Sequence, residues 1–342
     1  MSSNNQSEVT AVGIGTAGTR IVSLLSTHSL MVDRFAYVSC DRGDLANVDS
    51  GTKLLIESPV DQKLSPAQVR GLAMGSVPRI RELVAGSKVV FVVAGLGGAT
   101  GSGLSPLVAS IAQESGAITV GVAVMPFEFE KKLKFYAGVS LRRLRSTSRG
   151  VIVIDNDILL RSSPDDSTLT SLYESANKEA VKALGSLLSS PAPSAVPLGL
   201  NKVLGTVLQD GYSLLGVSSS DAADKAEEAL AGAVVSLGRI AEAKEANHAV
   251  VILKGDSSLS AQEVGIVVKR LGSMINNEAV DVEYGVSYSG TGQLQVSLLA
   301  SGFSSTKYDD YDPLTKILGD RVMDDEIDYS LPTGLEALPS CE

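Results

Sequence analysis

The sequence has no tryptophan and only two cysteines, and aromatic residues make up 4% of its 342 residues. Two cysteines do not build a disulfide framework, so we expect a reducing compartment, the cytoplasm. Residues 1–10 are polar and lack the basic and apolar stretches of a secretory signal, which predicts a disordered N-terminus. No apolar run reaches the roughly 18 residues of a membrane-spanning helix, which argues against direct membrane insertion.

Positive charge is also scarce. The chain has 29 Lys and Arg against 39 Asp and Glu, a formal net charge of −10. Nucleic acids and anionic membrane surfaces attract basic proteins, so this balance argues against both as partners. Much of the excess lies in residues 304–342, where ten acidic residues face three basic ones. This composition predicts a flexible acidic tail.

Glycine, by contrast, is concentrated in two turns that join a strand-like segment to a helix-like one. The first turn is Gly13–Gly18 (GIGTAG) and the second is Gly95–Gly103 (GLGGATGSG). Glycine lets the backbone approach an anion closely, and a helix N-terminus supplies free N–H groups. The Lys-Ser/Thr pair of a Walker loop is missing. The two turns predict a phosphate-binding site of another kind.

The first turn alone leaves two interpretations open. It is a formal GxGxxG, and Asp41 ends the next strand, as in the dinucleotide fingerprint where an acid binds the ribose. One alternative is therefore an NAD(P)-dependent oxidoreductase that uses Gly13–Gly18. That alternative has no evident catalytic His, Lys or Tyr constellation and gives the second turn no role. Asp41 itself is as compatible with capping a turn as with contacting a ribose or magnesium.

Strand-like and helix-like segments alternate along the first half of the chain, which predicts a parallel sheet with helices on both faces. A long helix over about residues 167–188 ends at the Pro/Ser-rich stretch 189–197, the clearest internal boundary.

Several ordered segments resemble the tubulin/FtsZ superfamily. The second turn is similar to its GGGTGSG signature, with Ala99 in place of the third glycine. Residues 117–134 resemble the FtsZ stretch in which a strand ends in Pro-Phe-x-Phe-Glu, and residues 151–160 resemble its strand ending in Asn-Asp-x-Leu-Leu. The likeness continues through residues 206–230 and 250–301. The chain is thereby identified as a divergent FtsZ-like member, which we expect to be of archaeal type.

The resemblance implies a tubulin/FtsZ-like α/β fold: a Rossmann-type domain with a parallel sheet, a long central helix and a smaller α+β C-terminal domain. The expected parts are residues 1–10 as the disordered N-terminus, 11–166 as the GTP-binding domain, 167–203 as the central helix with its following loop, 204–303 as the C-terminal domain, and 304–342 as the tail.

The resemblance also implies GTP or GDP as the ligand, with Mg²⁺ as a further candidate. Glu130 would bond the ribose, and Lys134 would lie near the phosphates, where the family usually has Arg. Asn156 would contact the ribose or base, and Asn177 would read guanine through its amide. The full set of expected contacts is Gly15, Thr16, Ala17, Gly18, Thr19, Arg20, Asp41, Gly97, Gly98, Ala99, Thr100, Gly101, Glu130, Lys134, Asn156 and Asn177.

One departure from the family concerns catalysis. In FtsZ, acids in a loop after the central helix complete the site of the neighbouring subunit, so that hydrolysis is tied to assembly. Here no acidic residue lies between Glu179 and Asp210. Asn201 is the one weak candidate, because an amide can hold a water but cannot take its proton. We therefore expect GTP binding with weak or absent hydrolysis.

The resemblance further implies head-to-tail assembly, either as a homo-oligomer or as a co-polymer with a related FtsZ-like subunit. The tail contains a short apolar stretch at 327–338, which resembles the peptides that dock on membrane-tethering division proteins and would recruit the chain to the division site. A second alternative is a regulatory pseudo-GTPase that binds nucleotide without polymerising.

Overall fold

The computed structural model describes residues 9–58, 64–159, 168–189, 196–275, 280–288 and 292–312. Its strands are β1 Val9–Ile14, β2 Arg34–Ser39, β3 Thr52–Leu55, β4 Val89–Gly95, β5 Ile118–Met125, β6 Gly150–Asp155, β7 Tyr212–Ser220, β8 His248–Gly255, β9 Asp281–Tyr288 and β10 Leu294–Phe303. Its α-helices are α1 Gly15–Leu25, α2 Arg42–Ala46, α3 Pro66–Ala73, α4 Val77–Val84, α5 Ala99–Glu114, α6 Lys131–Ser146, α7 Asn156–Leu159, α8 Leu169–Leu188, α9 Leu200–Val207, α10 Lys225–Gly238 and α11 Ala261–Met274. A 3₁₀ helix, Lys307–Tyr311, ends the described part.

The strands form one mixed sheet in the order β3-β2-β1-β4-β5-β6-β7-β10-β8-β9. The first six strands in this order are parallel to one another, as the alternation of strands and helices predicts. The chain builds outward from β1 to β3 in one direction and from β4 to β6 in the other. The reversal lies between β1 and β4, and in such sheets ligands bind at the carboxyl ends of the strands beside this point.

The second half of the chain continues the same sheet. Strand β7 pairs in parallel with β6 through Ile152 with Ser213 and Val153 with Leu214. Strand β10 lies antiparallel between β7 and β8, and β9 is parallel to β8 at the edge. The predicted C-terminal α+β unit is therefore joined to the first unit by strand pairing as well as by the central helix α8.

Helices cover both faces of the sheet. Successive residues of β4 alternate between two apolar cores: Val90 and Val92 belong to one, and Phe91 and Val93 to the other. The first core includes residues of α3, α4, α5, α6, α10 and α11, and the second includes residues of α1, α2, α8 and α9. Strands that are buried on both faces are apolar along their whole length, which explains the continuous hydrophobic run before the second glycine turn.

The chain end differs from the expectation of a tail that begins at residue 304. Residues 304–312 pack on both halves of the molecule, with Ser304 bonded to Glu245 and Lys307 to Asp155, and Tyr308 is completely buried. Thr306 caps the 3₁₀ helix by accepting a hydrogen bond from the Tyr308 N–H, and Asp312 forms an ion pair with Arg142 of α6. These contacts hold residues 304–312 against the folded part of the chain, although their acidic composition predicts that they belong to the tail. Residues 313–342, including the apolar stretch 327–338, lie outside the described part.

At the other end, Val9 and Thr10 already belong to β1, and the residues before them lie outside the described part, as do residues 190–195 after the central helix. Among the helices of the described ranges, none combines the length and apolar character that crossing a membrane requires.

Candidate functional site

The two glycine turns follow β1 and β4, the neighbouring strands at which the strand order reverses. Each turn leads directly into a helix, α1 after the first and α5 after the second. Neither helix has a side chain that caps its N-terminus. The first N–H groups of both helices are therefore available to an anion between the turns, and both helix dipoles favour negative charge there.

The first turn needs glycine for conformation and for packing. Gly15 has φ +65°, in the left-handed region that disfavours side chains. At Gly18, a Cβ would lie 2.1 Å from the Val93 carbonyl oxygen of β4. Gly18 therefore does not add a contact surface to the site. It lets α1 approach β4 and so fixes the position of the turn.

The second turn is built in the same way. Gly97 has φ +102°, and its N–H donates a hydrogen bond of 2.8 Å to the Ser102 hydroxyl of α5. At Gly101, a Cβ would lie 2.1 Å from the Gly95 carbonyl oxygen. The two turns touch each other, because a Cβ on Gly15 would lie 3.2 Å from the Cβ of Thr100. They form one continuous backbone surface.

A cavity of about 340 Å³ lies above this surface. Its lining includes eleven of the residues predicted to contact nucleotide: Gly15, Thr16, Ala17, Arg20, Gly98, Ala99, Thr100, Gly101, Glu130, Asn156 and Asn177. Tyr173, one turn before Asn177 on α8, also lines it and was not predicted. The sequence does contain a signal for Tyr173. It lies four residues before Asn177 on a predicted helix, and residues at this spacing share one helix face.

A second cavity, of about 490 Å³, adjoins the first, and both are lined by Thr16, Arg20 and Asn177. Thr19 and Asp41 line the second cavity. The Asp41 carboxylate caps α2 by accepting a hydrogen bond of 2.7 Å from the Gly43 N–H, which realises the turn-capping alternative. Together the two cavities form one cleft that runs from the two glycine turns to α2.

Glu130 is held at the wall of the first cavity by two hydrogen bonds. One carboxylate oxygen accepts from the Phe127 N–H at 2.9 Å, and the other accepts from the Tyr173 hydroxyl. Burial, and then the bond to Glu130, raises the pKa of Tyr173 well above its usual value, so the phenol keeps its proton and remains a donor. The carboxylate thus has a fixed direction and lone pairs left for a ligand.

Two buried polar atoms at the cleft have no hydrogen-bond partner among the described residues. They are Asn156 Oδ1 in the first cavity and Thr19 Oγ1 beside the second. Asn177 is also buried, with 8% of its surface exposed. Buried polar groups are normally paired, so these atoms point to a polar ligand that satisfies them.

Besides Gly18, three of the predicted residues line neither cavity. Gly97 packs against Leu133 rather than lining the cavity, since a Cβ would lie 2.8 Å from the Leu133 Cβ. The Lys134 ammonium lies over the Tyr311 ring, 4.8 Å from its centroid, and so faces the 3₁₀ helix. Asn201 is exposed near the start of α9 and lines neither cavity. Within the described ranges, no group of three or more His, Cys, Asp and Glu is placed to hold a metal ion.

Comparison with known proteins identifies the family and the fold. Residues 8–164 match the tubulin/FtsZ family, GTPase domain. The cell division protein FtsZ of Methanothermobacter thermautotrophicus is 30% identical over 292 residues, which cover 81% of this chain and 74% of that protein. An empty FtsZ dimer of M. jannaschii superposes with a TM-score of 0.77 at 24% identity, covering 87% of this chain and 89% of that one. CetZ2 from Haloferax volcanii, in a GTPgS-bound protofilament, gives 0.69 at 21% identity, covering 91% and 98%.

The fold, the paired glycine turns and the similarity along most of the chain therefore agree on one assignment. Membership of this family does not favour the oxidoreductase alternative. Both glycine turns line a single cleft, whereas that alternative gives the second turn no role. The chain is a divergent, archaeal-type FtsZ-like member of the tubulin/FtsZ family of GTP-binding cytoskeletal cell-division proteins.

Proposed function

We propose that the cleft binds GTP or GDP, with the phosphates over the two glycine turns and the guanine toward Asn177. The observation that carries this proposal is the convergence of two uncapped helix N-termini on a cavity that is also lined by Asn156, whose buried Oδ1 has no hydrogen-bond partner among the described residues. First-turn N–H groups of α1 and α5 would bind phosphate oxygens, and Arg20 would add a positive charge.

The far side of the cleft suits the nucleoside. Glu130, fixed by Phe127 and Tyr173, would accept from ribose hydroxyls, and Asn156 Oδ1 would find its missing donor there. The guanine edge presents N–H donors, from which the Asn177 amide oxygen would accept a hydrogen bond. A magnesium ion bound with the phosphates would supply positive charge. Asp41 and Asp44 border the neighbouring cavity as candidate carboxylates, and Lys134 would contact phosphate only after leaving Tyr311.

We further propose that the chain assembles head to tail, either with copies of itself or with a related FtsZ-like subunit. The relatives reported above include an FtsZ dimer and a CetZ2 protofilament, which supports this mode. Hydrolysis by the chain alone should be weak or absent. The stretch after α8, which would serve the neighbour's nucleotide, carries no acid from residue 180 to 209.

The first test is to identify the nucleotide that co-purifies and then to measure phosphate release as protein concentration rises. We expect guanine nucleotide, with little release at any concentration. Release that rises cooperatively with concentration would contradict weak hydrolysis but support assembly. Bound NAD(P) would overturn the assignment of the cleft.

A gain-of-function variant tests the missing acid directly. Asn201→Asp places a carboxylate in the first turn of α9, where a negative charge favours the helix and the fold is unaffected. A group that can take a proton is worth about 10²–10⁴-fold, so even an imperfectly placed one should raise phosphate release roughly tenfold. Asn201→Ala is the matched control and should stay at the wild-type level. Equal release from both variants would mean that residue 201 does not reach the neighbour's nucleotide.

The apolar stretch 327–338 remains a proposed docking peptide for a membrane-tethering division protein. Its support is the sequence resemblance, since these residues lie outside the described part. Deleting them should abolish recruitment to the division site and leave nucleotide binding unchanged, which fluorescence microscopy and nucleotide binding together measure.

A further inference from the structure

A further concave surface shares no lining residue with the two cavities of the nucleotide cleft. This groove has a volume of about 170 Å³ and is formed by α3, α5 and α6. Its lining combines apolar and basic side chains, with Pro66 and Arg70 from α3 and Phe135, Tyr136, Val139 and Arg143 from α6. Phe135 and Tyr136 are 37% and 40% exposed. Adjacent exposed aromatic rings in a concave surface are typical of an interaction site.

The charge of the groove selects the kind of partner. Helix α6 has no acidic residue, and of its basic residues Arg143 lines the groove, whereas Lys134 and Arg142 contact the chain end. Arg70 lies on the opposite wall, at the end of α3. A partner with acidic and apolar side chains in alternation would match this surface, and a basic or purely apolar one would not.

The end of the folded chain lies beside this groove. Tyr311 packs so closely on α6 that a Cβ on Gly138 would lie 2.8 Å from the Tyr311 Cβ, and Asp312 pairs with Arg142. Val139 and Arg143, the residues that directly follow Gly138 and Arg142 in α6, line the groove. The chain therefore leaves its last described contact about one helix diameter from the groove, a distance that three or four extended residues span at roughly 3.3–3.6 Å each.

The residues that follow have the composition that the groove requires. Residues 313–342 contain seven acidic and two basic residues. Within them, residues 324–338 (DDEIDYSLPTGLEAL) combine an acidic cluster with spaced leucine, isoleucine and tyrosine side chains. We propose that residues 324–338 of this same chain dock in the α3–α5–α6 groove, with apolar side chains on Phe135 and Tyr136 and carboxylates facing Arg70.

Docking in cis has a consequence for partner binding. The linker of about a dozen residues between Asp312 and the segment keeps its local concentration near the groove high, in the millimolar range typical of short linkers. A weak contact is then sufficient for occupancy, and any protein that binds the same segment must displace it. The groove would hold the segment back until such a partner is present.

Photo-cross-linking in the full-length protein tests this proposal. A benzophenone amino acid replaces Tyr136 in the groove, and the matched control replaces Tyr284 on β9, which is 38% exposed. We expect position 136 to cross-link to peptides from residues 313–342 within one chain, with a yield that does not change on dilution. The control should give no such product. Cross-links that join two copies and fade on dilution, cross-links to another protein only, equal yields from both positions or no tail product would each overturn docking in cis.

Substitutions that change charge test whether ionic contacts contribute to docking of the tail segment. Arg70→Glu should lower the tail cross-link from position 136 by about three- to tenfold, because each replaced attraction becomes a repulsion. Lys269→Glu, an equal charge change at an exposed position of α11, should leave it unchanged. Neutralising the tail through Asp324→Asn, Asp325→Asn and Glu326→Gln should give the same loss as Arg70→Glu without touching the folded part. Wild-type yield from both Arg70→Glu and the neutralised tail would overturn charge recognition.

Discussion

Gly18 illustrates how a single missing Cβ positions the nucleotide cleft. It lies in the first turn of α1, and a Cβ there would lie 2.1 Å from a backbone oxygen of β4, which cannot move aside as a flexible side chain would. Gly18→Ala should therefore destabilise the protein by about 2 kcal/mol, since overpacking outweighs the roughly 1 kcal/mol by which alanine favours a helix. Urea unfolding followed by circular dichroism measures the difference.

Gly185 provides the matched control for that substitution. It also lies inside a helix, α8, but a Cβ there would meet only Leu25 Cδ2, at 3.7 Å. Gly185→Ala should leave stability unchanged or raise it by up to about 1 kcal/mol. If Gly18→Ala were as stable as Gly185→Ala, the close approach of α1 to β4 would not be what the first turn requires.

Asn177 is the residue on which guanine selectivity should depend. Guanine presents N–H donors on the edge where adenine presents an acceptor at N1, so an acceptor oxygen at this position distinguishes them. Asn177→Ala should weaken GTP binding about tenfold, the value of one hydrogen bond of 1–1.5 kcal/mol, and bring the affinities for GTP and ATP closer together. Competition against a fluorescent nucleotide measures both.

Asn177→Asp keeps an acceptor oxygen at the same place and serves as the conservative variant. We expect it to bind GTP within about threefold of wild type, because its charge strengthens the hydrogen bond while its burial opposes ionisation. A GTP-to-ATP ratio that is unchanged in Asn177→Ala would show that another group reads the base.

For single residues, the sequence predicts positions that depend on a local pattern. It does not predict contacts that depend on packing between distant parts of the chain. The glycine turns, Glu130, Asn156 and Asn177 lie at one cleft because each follows a strand or sits at a recognisable helix position. The contact of Lys134 with Tyr311 was not predictable, since it joins residues far apart in the chain and requires the fold of a segment assigned to the tail.

At the scale of elements, the 3₁₀ helix Lys307–Tyr311 links the chain end to the nucleotide cleft. The Lys307 ammonium bonds Asp155 Oδ2 at 2.5 Å, and Asp155 directly precedes Asn156 of the cleft. Asp155 is 1% exposed, and the Lys307 ammonium is its ion-pair partner. Lys307→Ala should cost about 2–4 kcal/mol of stability, because it leaves a buried carboxylate unpaired. Chemical denaturation is the measurement.

A surface ion pair of equal length gives the comparison. The Lys202 ammonium lies 2.5 Å from Glu283, but both side chains are more than 40% exposed. Lys202→Ala should therefore cost less than about 1 kcal/mol. Equal losses in the two variants would mean that Asp155 is not dependent on Lys307, and that the 3₁₀ helix is held by the packing of Tyr308 alone.

Composition misplaced this element for a physical reason. Acidic content predicts disorder when few apolar groups are available for burial, yet here Tyr308 is fully buried and Lys307 neutralises an acid of the neighbouring unit. A local signal was present, since Thr306 and Asp309 form a capping box that starts the 3₁₀ helix. The capping pattern over residues 306–309 predicts the local structure better than the average charge of the segment does.

At the scale of the whole molecule, the continuous sheet explains why a two-unit division is hard to locate from the sequence. Strand β7 starts the second unit but pairs with β6, the last strand of the first, so no edge separates the two. The Pro/Ser-rich stretch marks a break along the chain and not a break in the sheet. The units are joined at β6–β7, along α8 and through the 3₁₀ helix, and we expect them to unfold together.

Alkaline pH tests that cooperation, because tyrosines join the chain end to both units: Tyr212 of β7 bonds Asp309, and Tyr311 packs on α6. Burial, and then the charge of Asp309, raises the pKa of Tyr212 to about 12. Burial, and then the charge of Asp155, likewise raises the pKa of Tyr311 to about 12. In the unfolded chain a tyrosine titrates near 10, so the unfolded state loses its proton first. The stability these groups contribute is complete below about pH 10 and is lost as pH rises toward 12.

The expected result is a free energy of unfolding that falls steeply above about pH 10, with both units unfolding in one transition, as measured by urea titrations at successive pH values. Tyr311→Phe keeps the ring beneath Lys134 and against Gly138 but cannot ionise, so its stability should fall less steeply than that of wild type. Tyr284→Phe, at an exposed position of the edge strand β9, should keep the wild-type slope. Lysines also lose charge in this pH range, but they do so in both variants. Comparing the slopes of Tyr311→Phe and Tyr284→Phe therefore cancels the lysine contribution. Two separate transitions, or a Tyr311→Phe slope equal to that of wild type, would show that the chain end does not hold the two units together.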